Sequence, residues 1–423
     1  MPARFRPLLA PVLIAAACGT QEPVRSGTQE PVTSPVLTAL PRPLTSGEEK
    51  LIAADNRFAF TLLRAVTEDT RGELPNLFVS PLSVALALGM TYNGAAGATE
   101  EAMRRTLELE GMSLSEVNEA SRSLIALLRG LDPGVRFLIG NSIWYREGFA
   151  VEQPFLDANR TYFDAEVTAL DFASPAAPQR INDWVARRTE GLITEIVKSP
   201  LPEHARMYLI NAIYFKGDWA HPFDPNRTTP APFHLADGST VPVPMMRSTG
   251  SLRLPAYRDA GVEMVEMPYG GQAFSMIVVM PRDPAALDTL VAGLTAERWN
   301  AWVARLDTTS LYVSLPKFRL VNDLTLVAPL KALGMGIAFD CDPPEMADFT
   351  RMHQPQEACI TNVKHKTYVD VNEEGTEAAA VTSVEVGVTS VPPAIVVDRP
   401  FLFAIRERLS GTILFLGAIR NPA

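Results

Sequence analysis

Between Gly375 and the Pro392-Pro393 pair the chain repeats with a period of two, and this stretch restricts the fold more than any other. Alternate positions Thr376, Ala378, Ala380, Thr382, Val384, Val386 and Val388 are uncharged and either small or β-branched. The intervening set, Glu377, Ala379, Val381, Ser383, Glu385, Gly387 and Thr389, carries both charges. Side chains of an extended segment alternate between two faces, so this one can bury one face and wet the other. Gly375 supplies a backbone pivot. The small residues that follow let the segment slip between strands with little steric cost. Two prolines then remove two N–H donors and end any ladder. From the residues alone, a plain strand closed by a turn remains an alternative.

The chain has 423 residues, of which 47% are hydrophobic and 20% charged, enough for a large core. No Pro/Gly-rich linker divides residues 46–423, which read as one α+β domain. Ser46 with Glu49 forms a candidate capping box. Helical spacing follows at Leu51, Phe58, Leu62 and Val66, and again over 82–92, 98–109, 114–130 and 179–190. Strand-like runs fall at 207–215, 262–267, 274–280, 310–319, 395–405 and 412–418.

The first 18 residues read as a signal peptide of the lipoprotein type. Arg4 and Arg6 precede an apolar run, 8–17, that is too short to span a bilayer. Ala15-Ala16-Ala17 before Cys18 resembles a bacterial lipoprotein processing site, although Leu is commoner three residues before the Cys. An ordinary secretory signal is the alternative. Both place the domain outside the cytoplasm, lipid-anchored or secreted. Residues 19–45 repeat GTQEPV and hold few large apolar residues, as a disordered tether would.

Other function classes fail for want of their residues. The net charge of −10 argues against a nucleic-acid partner. No G-x-S-x-G elbow, H-E-x-x-H helix or P-loop occurs. Ser314 and Lys317 match S-x-x-K, but the run LYVSLPKF points to a strand, which would send the two to opposite faces. None of His204, His221, His234, His353 and His365 has a neighbour at metal-ligand spacing, so no metal or cofactor is expected, nor an enzyme. With Cys18 lipidated, Cys341 and Cys359 either pair or stand as two thiols.

The stretch NEEGTEAAA, followed by a variable segment and then PPAIVVDRPFLFAIRERLSGTILFLGAIRNP, resembles the reactive-loop region of serpins. The segment Asn76–Ser83 resembles that family's N-x-x-x-S-P-x-S, and Asn211–Trp219 with Pro222-Phe223 its N-x-x-x-F-K-G-x-W…P-F. Pro244-Met245-Met246, Leu315–Phe318 and Phe401–Phe403 follow in the family's order. The resemblance covers residues 46–423. It implies the serpin fold, three β-sheets with about nine α-helices and an exposed reactive-centre loop.

The resemblance also implies the activity: a bacterial, inhibitory serpin and a suicide inhibitor of serine-type proteases. In that family the loop is bait. After attack its N-terminal part inserts into the large sheet and drags the acylated protease along. The hinge would be Glu373, Glu374, Gly375, Thr376, Glu377, Ala378, Ala379 and Ala380. The reactive bond would join Thr389 to Ser390, give or take one residue. Ser80, Ser83, Asn211 and His365 would line the shutter beneath the sheet, and Trp219 the breach where the loop enters. A small uncharged Thr389 suits an elastase-like or subtilisin-like protease. Thr376 to Thr389 as a strand would be roughly 45 Å long at about 3.3 Å per residue, against a domain diameter near 55 Å. The expected partner is the protease alone, held by a monomer that meets a membrane only through its lipid. The rival is a non-inhibitory serpin acting as carrier or chaperone, but Thr376 and Ala378–Ala380 leave the hinge free of bulk and charge.

Overall fold

The computed structural model describes Met1 and residues 35–342, 346–376 and 393–423. Among them the domain forms nine α-helices and three β-sheets, as the resemblance implied. The helices are α1 (Ser46–Asp69), α2 (Pro81–Tyr92), α3 (Gly97–Thr106), α4 (Leu114–Leu128), α5 (Gln153–Phe163), α6 (Ala176–Arg188), α7 (Leu287–Ala292), α8 (Ala296–Val303) and α9 (Val327–Leu330). Past α9 the chain continues in helical turns to Phe339. None is long and apolar enough to cross a membrane.

The strands are β1 (Asn76–Val79), β2 (Val135–Arg146), β3 (Ala165–Leu170), β4 (Met207–Asp218), β5 (Thr229–His234), β6 (Thr240–Arg247), β7 (Leu252–Arg258) and β8 (Val262–Tyr269). They continue with β9 (Phe274–Pro281), β10 (Asp307–Pro316), β11 (Phe318–Thr325), β12 (Lys364–Val371), β13 (Gly375–Thr376), β14 (Ala394–Val396), β15 (Phe401–Glu407) and β16 (Ile413–Ile419). The largest sheet runs β1-β16-β15-β9-β8-β7-β10-β6-β5, with β14 parallel to β10. Its strands β9, β15 and β16 are buried along their whole length, so their sequences are mostly apolar runs rather than alternating, with Ser275, Arg406 and Glu407 as the polar exceptions. The four-stranded sheet runs β13-β4-β2-β3, and β11-β12 forms a separate pair. β11 shows strict alternation, with Phe318, Leu320, Asn322 and Leu324 inward.

Sequence and structure part at several boundaries. The capping box of α1 is Thr45 with Glu48 rather than Ser46 with Glu49, because the Thr45 hydroxyl accepts from the Glu48 N–H. Helix α3 stops at Thr106, since Glu108 turns to φ +60°. The run 310–319 is two strands of different sheets, broken at Lys317. The run 395–405 is also two strands, interrupted through Arg399-Pro400. The expected tether ends earlier than Thr45. Leu37 already donates its N–H to the Gly271 carbonyl (2.7 Å), and Arg42 pairs with Glu48 and Ser123. Residues 2–34, including Cys18 and both GTQEPV repeats, lie outside the described residues.

The main core lies between the large sheet and helices α1, α2 and α4. Helix α2 is apolar all round and almost wholly buried, as a central helix must be. A second core forms where α6 covers β2 and β4, centred on Trp144 and Trp184 in a T-shaped pair at 6.2 Å.

Candidate functional site

The C-terminal ends of β4 and β12 meet: the Trp219 indole N–H donates to the Asn372 carbonyl at 3.0 Å. β12 turns back at Asn372, whose N–H donates to the Gly375 carbonyl at 2.9 Å, into β13, which pairs antiparallel with β4. The two strands are therefore side by side and parallel, yet among the described residues they share no ladder. β4 is paired on its other side by β2 and β12 by β11. An extended chain running antiparallel to both would complete ladders on two edges at once.

β13 starts that strand. Gly375 and Thr376 pair antiparallel with Asp218 and Gly217 at the head of the gap. Only glycine fits at position 375. Its φ is +155°, and a Cβ there would sit 2.2 Å from the Gly217 carbonyl oxygen. The turn before it is fixed by Asn372, whose side-chain oxygen accepts from the N–H groups of Glu374 (3.1 Å) and Gly375 (3.3 Å). This is a local side-chain-to-backbone turn for which Asn is suited. The Glu374 and Glu373 carbonyls accept from Trp219 (2.8 Å) and Phe223 (2.7 Å). Trp219 stacks on Tyr269 at 4.4 Å and is buried.

Glu373 is buried beside these groups and paired with Lys317 and the Thr228 hydroxyl, each at 2.8 Å. Burial pushes its carboxyl up, but the bonds from Lys317 and Thr228 and the lysine charge outweigh it, leaving the carboxyl below its ordinary value. Asp218 moves the other way. Burial raises it, Lys216 opposes, and the neighbouring Glu374 adds to the rise.

Beneath the gap, Ser80, Ser83 and His365 come together. Ser80 is the N-cap of α2 and accepts from the Ser83 N–H. The Ser80 N–H donates to His365 Nε2 at 2.9 Å, and its hydroxyl donates to the Leu414 carbonyl. Burial lowers the His365 pKa to about 4, so its ring is neutral and free to accept. Asn211 does not join this group. Its amide donates across the β4–β2 pair to Asn141 at 2.7 Å, and its own oxygen is buried without a partner among the described residues. Thr367 and Asn322, which the sequence reading passed over, also bind here: the Thr367 hydroxyl donates to the Phe78 carbonyl, and Asn322 accepts from the Phe78 N–H.

Other missed residues are Asn372, Thr228 and Tyr269. Asn372 left a signal, an Asn three residues before a Gly. Thr228 and Tyr269 left none, because distant chain segments bring them against Glu373 and Trp219. Glu377, Ala378, Ala379 and Ala380 of the hinge, and the bond Thr389–Ser390, lie outside the described residues. The chain resumes at Pro393 and pairs as β14 with β10. Ser314 lies within strand β10, and no His, Cys, Asp and Glu cluster among the described residues could hold a metal. Cys341 and Cys359 are bonded, with Cα atoms 5.3 Å apart, inside disulfide reach.

A family model described as serpin (serine protease inhibitor) matches residues 53–422. Leukocyte elastase inhibitor of Sus scrofa is 34% identical over 88% of this chain and all of its own length. Human neuroserpin is 33% identical over 88% of this chain and 92% of its own. Among solved structures, the native thermophilic serpin tengpin superposes with a TM-score of 0.80 at 26% identity, covering 92% of this chain and 97% of its own. Thyroxine-binding globulin in complex with thyroxine superposes at 0.78 and 29% identity, covering 88% of this chain and all of its own.

Proposed function

The chain belongs to the serpin family, and we propose that within it this protein is a suicide inhibitor of serine-type endopeptidases. One observation carries this reading. Gly375 and Thr376 already pair with β4 at the head of a gap whose two edges run in the direction an inserting strand needs. The residues that would follow, Ala378 to Ala380, are small enough to continue the strand.

The protein acts by being cut, not by catalysing a reaction. A protease attacks the Thr389–Ser390 bond and forms an acyl-enzyme with Thr389. Release of the loop's C-terminal side then lets 376–389 fall into the gap. About ten new ladder hydrogen bonds, at about 1 kcal/mol net each, give a driving force on the order of 10 kcal/mol. The intact form is therefore held by a kinetic barrier. Thr389 selects proteases with a small apolar pocket, elastase-like or subtilisin-like. The protein works outside the cytoplasm as a monomer, in bacterial fashion lipid-anchored through Cys18. The carrier reading draws on thyroxine-binding globulin, which shares the fold, but its proponents must explain why the hinge is kept free of bulk.

Incubation with an elastase and with subtilisin tests this. A covalent complex should survive denaturant, and mass spectrometry should find the fragment 390–423, freed only on denaturation because it carries β14, β15 and β16. The nicked protein should melt well above the intact one. Turnover of the protein without any complex, or a nicked form that melts no higher, overturns the proposal.

A further inference from the structure

A cavity of about 640 Å³ opens where the second half of α1 and the turn after it meet α7. No residue of β4, β11, β12 or β13 lines it, so it stands apart from the gap. Its size is that of a small-molecule site. One wall is apolar, made by Ala65, Leu74, Val291, Ala292 and Leu333. The polar groups come mainly from α1, where Arg64, Thr67 and Arg71 fall at i, i+3 and i+7 and so share one stripe of the helix.

Charge singles out one of the arginines that line it. Arg71 pairs with Glu68, and Arg420 donates to Asp288 through two N–H groups, at 2.6 and 3.0 Å. Half-buried Arg64 has no carboxylate partner among the described residues. One of its N–H groups donates to the Leu294 carbonyl at 2.5 Å, which fixes the guanidinium against the link between α7 and α8. Its remaining donors have no acceptor among the described residues. Thr67 lines the cavity one turn further on, and its buried hydroxyl likewise has no partner among the described residues. The other threonines of this stretch do bond: Thr61 donates to the Phe58 carbonyl at 3.0 Å and Thr70 to that of Val66 at 2.8 Å. A buried hydroxyl left unpaired costs free energy, which an acceptor placed beside it would recover.

We propose that this cavity binds a small amphipathic monocarboxylate, its carboxylate on Arg64 and Thr67 and its hydrocarbon body against Leu74, Val291 and Leu333. A guanidinium fork matches a carboxylate, and the apolar wall gains by taking the chain out of water. Glu73 lines the same cavity, is exposed, and has no ion pair among the described residues. It repels a second negative charge, which disfavours phosphates and dicarboxylates. The site stands whether or not the protein traps proteases.

Titration calorimetry of the full chain with octanoate tests this, with octanol and octylammonium as neutral and cationic matches of the same length. Octanoate should bind at a single site and at least about tenfold more tightly than octanol, the factor that a hydrogen bond to a charged group supplies. Octylammonium should give no binding. Arg64→Gln should bring octanoate down to the level of octanol. Thr67→Val should weaken octanoate several-fold and leave octanol as it was. Ala65→Trp fills the cavity and should abolish binding of both. Arg64 also supports Leu294, so Thr67→Val and Ala65→Trp carry the test where Arg64→Gln does not fold. Octanoate that gives no heat at millimolar concentration, binds no more tightly than octanol, or binds Ala65→Trp as well as the parent overturns the proposal.

Discussion

Glu373 and Lys317 face each other at 2.8 Å at the head of the gap between β4 and β12, where the chain turns from β12 into β13. Glu373 is nearly buried and Lys317 is not, its side chain being 43% exposed. The pair is therefore asymmetric: removing the lysine strands a carboxylate away from water, which costs more than an exposed pair is worth.

Lys317→Met should lower stability by about 1–2 kcal/mol at pH 7.5. The Glu373 carboxyl sits below its ordinary value in the folded protein, so the pair's contribution is present above pH 4.5 and lost as the pH falls. Denaturant midpoints of the two proteins should accordingly converge toward pH 4. A gap that stays constant from pH 7.5 to 4 would show that Lys317 acts through packing alone.

On the proposed inhibitory reading, Gly375→Ala should convert the protein from inhibitor toward substrate. An alanine Cβ would lie 2.2 Å from the Gly217 carbonyl, and the φ of +155° is unsuited to any L side chain. β13 must detach from β4, and insertion loses its starting point. Association with subtilisin should change little, while the fraction of protein cut without trapping rises several-fold. Denaturing gels of the reaction measure both. An unchanged ratio of complex to cut protein would mean that insertion starts elsewhere.

The division between what could and could not be read beforehand follows from sequence distance. Local rules found α2 and α4 within a few residues, because caps and periodicity act within a turn or two. The family resemblance singled out Trp219 and Gly375, and the structure brings both to the C-terminal end of β4. The sequence rules failed at Lys317, which reads as the middle of one strand but is the step between two sheets. They failed also at Asn211, grouped with Ser80 and His365 by resemblance, whose amide instead turns to Asn141 on the neighbouring strand. The pairing of Cys341 with Cys359 was open, since their separation along the chain does not give the distance between their Cα atoms.

Acid should weaken the fold around His365. Its folded pKa is about 4 against an ordinary 6.5, because burial opposes the charged ring. A histidine depressed in this way favours the folded state fully above pH 6.5, and that contribution drains as the pH drops toward 4, where the unfolded chain takes up a proton and the folded one does not. Between pH 7.5 and 5 the loss should be about 2 kcal/mol. His365→Gln should flatten that part of the profile while lowering stability at pH 7.5. Stability curves of the two proteins that run parallel across this range would exclude His365 as the titrating group.

Asp55 predicts a change in the opposite direction. It is half-buried on α1 and borders a small cavity walled by Leu51, Leu86, Leu107, Leu109, Val117 and Ser121. Burial alone raises its pKa to about 7. A carboxyl raised in this way costs nothing below pH 4, where both states hold the proton. Above that the unfolded chain ionises and the folded one does not, so stability drains as the pH climbs from 4 to 7. Asp55→Asn removes the titration and keeps the shape. It should leave the denaturant midpoint unchanged at pH 4 and stabilise the protein by about 2 kcal/mol at pH 8. Because α1 lies in the main core, away from the gap, trapping of subtilisin should stay as it was. A variant no more stable than the parent at pH 8 would mean that water reaches the carboxyl and that the cavity is not closed.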